Sequence, residues 1–470
     1  MTSPLSRRTL LRTSAVGGLG IAVAGSIEAI AGPVAAQAWR PDGTYGALVA
    51  DPKGLLALPP GFTYEIVAQA GVTKLETGEF TPGAQDGTGW FRGPNGTVLV
   101  NNHELSGNPA NRVPALPGLT YDPGAPGGTT NIETDRCGVR IREYVSLAGT
   151  LTNCAGGTTP WKTWLTCEET EQKANATYKK DHGYVFEVDP LDNTANLNPV
   201  PLKFLGRFAH EAVAVDPTTH QIYETEDAGN PLGLYFRWTP PAGWRGKKGA
   251  LRDLALSEGG DTAGTLEAMS CYDGMNHVAN LAEATVPGTK YSVKWVNVPD
   301  RDAKTVSVRK QFTTDQVTRS KKLEGQWWAD NGVYFVASFS RKSDGHINEH
   351  DGQVWYYDPA AQTVTLKTIF GVNTDPDSEG ANWDGPDNIT VSPYGGVILA
   401  EDGNGVSHLV GVNRQGKSFA MARNELNDSE FTGPVFSGDA RVLFANIQTP
   451  GYVLAILGPW GAVDRTPGVY

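Results

Sequence analysis

A chain of 470 residues, of which 19% are charged, with a formal net charge of −12, has ample material for a large buried core. Its acidic balance argues against nucleic-acid binding, which needs basic stripes. After residue 38, no run approaches the roughly 20 apolar residues of a membrane-spanning helix. With 56 glycines, 31 prolines and no long helical periodicity, strands and turns are expected to dominate.

Residues 1–38 read as a twin-arginine export signal. Ser6-Arg7-Arg8-Thr9-Leu10-Leu11 is followed by a small-residue apolar run over 15–25 and by Ala36-Gln37-Ala38, an A-x-A-like cleavage site. Glu28 interrupts the late apolar region and leaves the cleavage position open. Removing three arginines and one glutamate with this segment shifts the formal charge from −12 to −14. Twin-arginine transport carries folded proteins, which suits a chain that loads a metal before export. The export machinery is therefore an expected partner, and the mature chain is expected as a soluble monomer in the periplasm or outside the cell.

Residues 39–470 then show one layout several times. Residues 98–104 (VLVNNHE) form a strand with a polar end and are matched with 138–145. Residues 163–169 (TWLTCEE) end in acids and precede the strand-like 183–190. Residues 222–238 (IYETEDAGNPLGLYFRW) give a strand, the acids Glu224, Glu226 and Asp227, a Gly/Asn/Pro turn and a returning strand, which is hairpin chemistry. Residues 333–339 lead to 352–359, 397–402 (VILAED) to 406–412, and 443–448 (LFANIQ) to 451–457. Six copies of "strand with a polar end, loop, strand" predict an all-β fold, a six-bladed β-propeller with short helical insertions. A β-sandwich with incidentally similar strands is the alternative. Between the units, residues 262–287 carry few strand signals, and 266–269 and 281–284 read as short helices. An insertion over about 245–320 is expected within the single domain.

Carboxylates crowded at strand ends repel one another unless a cation sits between them, which points to a hard metal. Cys167 lies in Thr166-Cys167-Glu168-Glu169. A thiolate there requires a cation, whereas a neutral thiol is equally consistent with a small buried residue on an inward strand face. Cys137 and Cys154 are a possible disulfide that sequence alone does not establish. His210-Glu211 precedes a strand between two acid-rich hairpins. Lys321-Lys322-Leu323-Glu324 precedes another, and Asp387-Asn388 with Glu401-Asp402 brackets a Ser-Pro-Tyr-Gly-Gly turn. Loop lysines are usually solvated, so position alone says little about Lys322.

Seven segments, in order, carry a resemblance to a family. They are VNNHE (100–104), NCAGGTTPWKTWLTCEE (153–169), GRFAHEAVAVDP (206–217), TEDAGNPLGLYFRW (225–238), LEGQWW (323–328), GPDNITVSPYGGVILAEDG (385–403) and LFANIQTPG (443–451). Behind a twin-arginine signal, the set resembles the PhoX-type secreted alkaline phosphatases over nearly the whole mature chain. The resemblance implies a six-bladed propeller holding an iron–calcium cluster, Fe3+ with Ca2+, at one mouth of its channel, and hydrolysis of small phosphate monoesters. It implies Cys167 as the iron-binding thiolate and Glu211, Glu226, Asp227 and Glu324 as metal ligands. Glu104, Glu168, Glu169, Asp387, Asn388 and Glu401 complete the expected metal set, and Lys322 and Cys167 the expected catalytic set.

Lys322 stands where the family carries a phosphate-binding arginine, and Leu323 where it carries proline. A lysine holds phosphate as a point charge, without the bidentate fork of a guanidinium. Ester hydrolysis needs positive charge on the phosphate oxygens and an activated oxygen nucleophile, which metals supply. Neither a Ser–His–Asp triad nor a phosphate-cradling glycine loop competes for the role. Two other readings are a calcium-dependent propeller hydrolase of lactonase type and a non-catalytic propeller with structural calcium. Neither has a use for an iron-binding thiolate.

Overall fold

In a computed structural model, residues 44–257, 262–377 and 383–461 are described. The expected export signal at 1–38 lies outside them. Among the described residues no helix is long and apolar enough to cross a membrane.

The architecture is all-β and propeller-like. The strands read as near-continuous apolar runs, such as YVLAIL at Tyr452–Leu457 and HEAVAV at His210–Val215, because both faces of most strands are covered. Antiparallel meanders dominate. Gln85–Arg92, Thr97–His103, Gly127–Thr134 and Arg140–Thr150 make one sheet, and Asn153–Thr158, Trp164–Glu168 and Val185–Val188 a second. Pro386–Val391, Val397–Glu401, His408–Val412 and Ser418–Asn424 make a third, extended by Leu56–Ala57. Phe431–Phe436, Val442–Ile447 and Tyr452–Leu457 make a fourth, completed by Thr63–Gln69 from the start of the domain. Pairing the first long strand with the last closes the ring by hydrogen bonds and removes two sheet edges.

The remaining strands form one eleven-stranded sheet. It joins His210–Val215, Ile222–Glu226, Gly233–Thr239 and Thr265–Asp273 to Leu323–Ala329, Gly332–Ala337, Gly352–Asp358 and Thr363–Phe370. The connection runs through Lys290–Asn297, which pairs with Thr265–Asp273 on one side and Thr363–Phe370 on the other. The sheet's two ends, His210–Val215 and Leu323–Ala329, lie against each other, so the sheet nearly closes on itself. The separate sheets therefore number four blade-like units plus this larger one, rather than six.

Five of the six expected pairings are present. The exception is Thr97–His103, which pairs with Gly127–Thr134, with Arg140–Thr150 one strand further out. The expected helix at 266–269 is instead part of the strand Thr265–Asp273, where alternating Leu266 and Ala268 face a core that also holds Trp238 and Phe236. The helical content is small. Among the described residues, one α-helix, Ala250–Leu256, and brief 3-10 turns including Leu281–Glu283 and Val308–Gln311 are the helical elements of the 245–320 region.

One irregularity recurs and positions the site. Strand pairing skips a step between Gln85 and Thr88, Asn153 and Gly156, His210 and Val213, Leu323 and Gln326, Pro386 and Ile389, and Thr432 and Val435. Each is a β-bulge at the start of the strand that neighbours its counterpart in the next unit around the channel. A bulge turns one side chain out of register and frees backbone carbonyls from the ladder. Side-chain amides occupy those carbonyls. Asn102 Nδ2 donates to Cys154 O at 2.8 Å and Ala155 O at 2.7 Å, Gln326 Nε2 to Ala212 O at 2.7 Å, and Asn446 Nδ2 to Asp86 O at 2.7 Å. The bulged strands also approach closely. A Cβ on Gly87 would stand 2.6 Å from Ala155 Cα, and one on Gly325 2.8 Å from Asn388 Cα.

Candidate metal centre

The residue that the bulge places at the channel is Asp86, Cys154, Glu211, Glu324 or Asp387, and at the sixth bulge it is Gly433, which brings no side chain. From the ends of the following strands come Glu104, Glu169, Asp227, Ser338, Asp402 and Gln448, each one residue past its strand. Glu430 joins them from the loop before Phe431. The floor of this ring is buried: Asp86, Cys154, Glu211 and Glu324 are each at most 4% exposed. Asp402 on the rim is exposed.

Three groups of these residues bring their ligand atoms within 4.8 Å of one another: Cys154 with Glu169 and Glu211; Glu211 with Glu324 and Asp387; and Asp387 with Asp402 and Glu430. Glu211 and Asp387 are shared, so the three groups form one chain across the mouth. Cys154 Sγ donates to Glu211 Oε2 at 2.8 Å, and Gln448 Nε2 donates to Glu104 Oε2 at 2.8 Å and Asp86 Oδ2 at 3.2 Å. Lys322 Nζ lies 3.2 Å from Glu324 Oε1 and 3.8 Å from Asp227 Oδ2 and Asp402 Oδ2.

The electrostatics are those of a ring short of positive charge. Burial, then Asp387, Glu324 and Glu169, pushes Glu211 well above the usual carboxylate range. Burial and Asp402 push Asp387 up to about 7 against the pull of Lys322, and burial with Asp402, Asp86 and Asp387 pushes Glu430 up to about 11. Glu324 raises the Lys322 ammonium further above its ordinary value. Asp86 Oδ1 is buried with no hydrogen-bond partner. Burying a carboxylate oxygen without a donor is costly, so acids gathered this densely fit bound cations. The donor set is mostly hard oxygen, as calcium prefers, with a single soft sulfur at Cys154, as iron accepts.

Of the residues singled out in sequence, Glu104, Glu169, Glu211, Asp227, Glu324, Asp387 and Lys322 converge here. Others do not. Cys167 is fully buried in the apolar core with Leu165, Val185, Leu205 and Phe236, and burial pushes its thiol up. The thiol among the acids is Cys154. The reason is strand position: Cys167 lies inside the second strand of its sheet and packs against the core beside Val213 and Phe236, whereas Cys154 sits on a bulge of the first strand, which lines the channel. Glu168 is turned back into the fold, accepting from Leu151 N, Gly183 N, Tyr184 N and His182 Nδ1 at 2.6–3.1 Å.

Glu226 accepts from Leu234 N at 3.2 Å and pairs with Arg309 at 3.0 Å; burial pushes it up to about 8 despite that arginine. Glu401 accepts from Asp384 N, His408 N and His408 Nδ1 at 2.8–2.9 Å. Asn388 braces the site from behind, donating to Asp387 Oδ1 and accepting from Gly433 N. Lys321 turns away from its neighbour, to Asp344 Oδ2 at 2.7 Å and to the face of Phe339.

Sequence reasoning missed Asp86, Cys154, Glu430 and Gln448 as site residues, and it named Asp402 beside Glu401 without placing it in the metal set. A signal was present for the first two. Asp86-Gly87, Cys154-Ala155, Glu211-Ala212, Glu324-Gly325 and Asp387-Asn388 are all a ligand-type residue followed by a small or amide one at a strand start. All four cysteines are free: Cys137 is exposed and Cys154 buried, with no bond between them.

Comparison with protein families matches residues 43–451 to the family described as Alkaline phosphatase PhoX. No curated protein matches the chain. Solved structures with a similar outline include a gluconolactonase from Xanthomonas campestris, 11% identical, with 88% of this chain and 98% of that one covered and a TM-score of 0.37. The holo form of the PQQ domain of a Coprinopsis cinerea pyranose dehydrogenase is 10% identical, with 87% and 98% covered and a TM-score of 0.40. An auxiliary nutrient binding protein from Bacteroides thetaiotaomicron is 10% identical, with 84% and 76% covered and a TM-score of 0.41.

Proposed function

The chain belongs to the PhoX alkaline phosphatase family, and from that premise we propose that it is an exported phosphatase hydrolysing small phosphate monoesters at the acid-lined channel mouth. The observation that carries the proposal is the convergence of nine carboxylates and one thiol from all around the ring on a space faced by the ammonium of Lys322. We assign Cys154, Glu169 and Glu211 to iron. The oxygen-only groups, Glu211 with Glu324 and Asp387, and Asp387 with Asp402 and Glu430, are assigned to calcium. Asp227, which faces Glu169 beside Lys322, is assigned together with Glu169 to a further calcium, and Asp86 and Glu104 adjoin the ring through Gln448. When bound, such metals supply the positive charge that an ester's phosphate oxygens require and lower the pKa of a water nucleophile.

The chain's own residues do the rest. Cys154 and the carboxylates would hold the cations from a rigid ring, because each is anchored at a bulge or a strand end. Lys322, whose left-handed φ of 45° lifts it off the strand start, presents a single ammonium to the ester's phosphate. Gln448 donates its one amide to both Glu104 and Asp86 and so fixes the two acids together. We also read the eleven-stranded sheet as two blades joined edge to edge, which with the four separate sheets makes six. The six repeated bulges support that count. The expectations of export through the twin-arginine route, an insertion at about 245–320 and a monomeric state belong to the same proposal.

The test is metal analysis of purified protein alongside hydrolysis of p-nitrophenyl phosphate. Iron and calcium present together, with activity lost on chelation, is the expected result. Calcium without iron would favour a calcium-only propeller hydrolase or binding protein, and a metal-free chain would sink the proposal.

A further inference from the structure

Glu169 and Asp227 meet at the mouth, yet each is carried on a chain segment that continues away from it: Glu169 into the loop with Glu171, Asp227 back into Glu226. Arg309 stands behind both. One of its guanidinium nitrogens, NH1, lies 2.6 Å from Glu171 Oε2 and 3.0 Å from Glu226 Oε1. Glu226 is fully buried and Arg309 is 13% exposed at the side chain. The arginine comes from another part of the chain, the 3-10 turn Val308–Gln311. That turn is held rigidly, because Val308 and Phe312 are set in the core and Arg319 NH2 donates to Arg309 O at 2.9 Å.

Building on the metal-binding reading above, we infer that Arg309 is a positioning residue for the metal centre: its guanidinium clamps the segments bearing Glu169 and Asp227 at the spacing a shared cation needs. The physical need is clear from the geometry. Glu169 and Asp227 repel each other when ionised, and their neighbours Glu171 and Glu226 repel each other one step behind. A cation between the front pair relieves only the front. Arg309 supplies the rear cation permanently, so that the two segments stay together before a metal arrives. A guanidinium suits the place, since one nitrogen reaches two carboxylates while the group remains charged at any working pH. Partners that hold ligand-bearing groups from behind typically change metal affinity by about 10–100-fold when removed.

Calcium titration of chelator-treated protein, followed by calorimetry, tests this without relying on turnover. Arg309→Gln is expected to raise the calcium concentration for half-saturation about ten- to a hundred-fold. Glu171→Gln, at a partly exposed position, should shift it in the same direction by less. Arg237→Gln removes a comparable arginine–glutamate pair, Arg237 with Glu267 at 2.6 Å, far from the mouth. It should lower the melting temperature and leave calcium affinity unchanged. Wild-type calcium affinity in both Arg309→Gln and Glu171→Gln would overturn the inference, even if both melt earlier. Should Arg309→Gln fail to fold, Glu171→Gln alone decides. Absence of calcium binding by the unsubstituted protein overturns the metal reading itself, and this inference with it.

Discussion

Three acid pairs, Glu168-Glu169, Glu226-Asp227 and Glu401-Asp402, end three strands in the same way, and their two members do opposite work. The first of each pair lies on the strand and points into the fold. There Glu168 and Glu401 collect backbone N–H donors and a histidine, and Glu226 a backbone N–H and an arginine. The second, one residue past the strand, points to the channel and meets other acids. Successive side chains of an extended chain face opposite ways, so one step along the backbone converts a structural acceptor into a candidate ligand. Cys154 and Cys167 repeat the lesson. Both are buried thiols near acids, but only the one on a bulge meets them.

The strongest break of this contrast is the pair of cysteine variants. Cys154→Ala should lose iron and phosphatase activity together while the chain still folds. Cys167→Ala should keep both and lose only about 1 kcal/mol of stability, the ordinary scale of a core truncation of this size. Iron assay beside chemical denaturation separates them, and the reverse pattern would restore Cys167 to the site.

The two neighbouring lysines give the next largest effect. Lys322→Ala should lower kcat/KM about ten- to a thousand-fold, the scale of losing one charged contact in the transition state. Lys322→Arg should retain or raise it, and Lys321→Ala should change little because its ammonium is engaged by Asp344. Equal and negligible effects from both alanine variants would remove Lys322 from the site.

Within one acid pair, Glu168→Gln should destabilise the fold by about 1–3 kcal/mol, since it weakens a buried acceptor of several charge-assisted hydrogen bonds, while metal content is kept. Glu169→Gln should do the opposite, lowering metal content without destabilising the chelated protein. Denaturant melts and metal assays on both variants give the comparison its sharpest form.

The smallest effect is a pH slope confined to the metal-free protein. Asp387, raised from an ordinary 3.8 to about 7, binds its proton more tightly folded than unfolded. Its stabilising contribution is full below about pH 4 and is lost as pH rises through 7; Glu430, raised to about 11, continues the trend upward. Chelated protein should therefore melt at falling temperatures between about pH 4 and 7, and calcium should flatten the slope. A melting temperature that rises over that range in chelator would contradict the crowding of acids at the mouth.

Local chemistry determined much of this protein. Turn residues between strand-like runs announced the hairpins 222–238, 397–412 and 443–457, because such pairings depend on neighbours in the chain. The same runs ended in the acids that converge at the mouth, and the order of seven segments pointed to the family. Tertiary structure alone decided the rest. Thr63–Gln69 closes the ring against Tyr452–Leu457, a pairing between distant parts of the chain that leaves no local mark. The bulges decided which residue of each strand start faces the channel, bringing Asp86 and Cys154 to the acids and leaving Cys167 in the core. A register is a property of two strands together. One residue of slip reverses every side chain, so no reading of a single strand determines which of its acids a metal would meet.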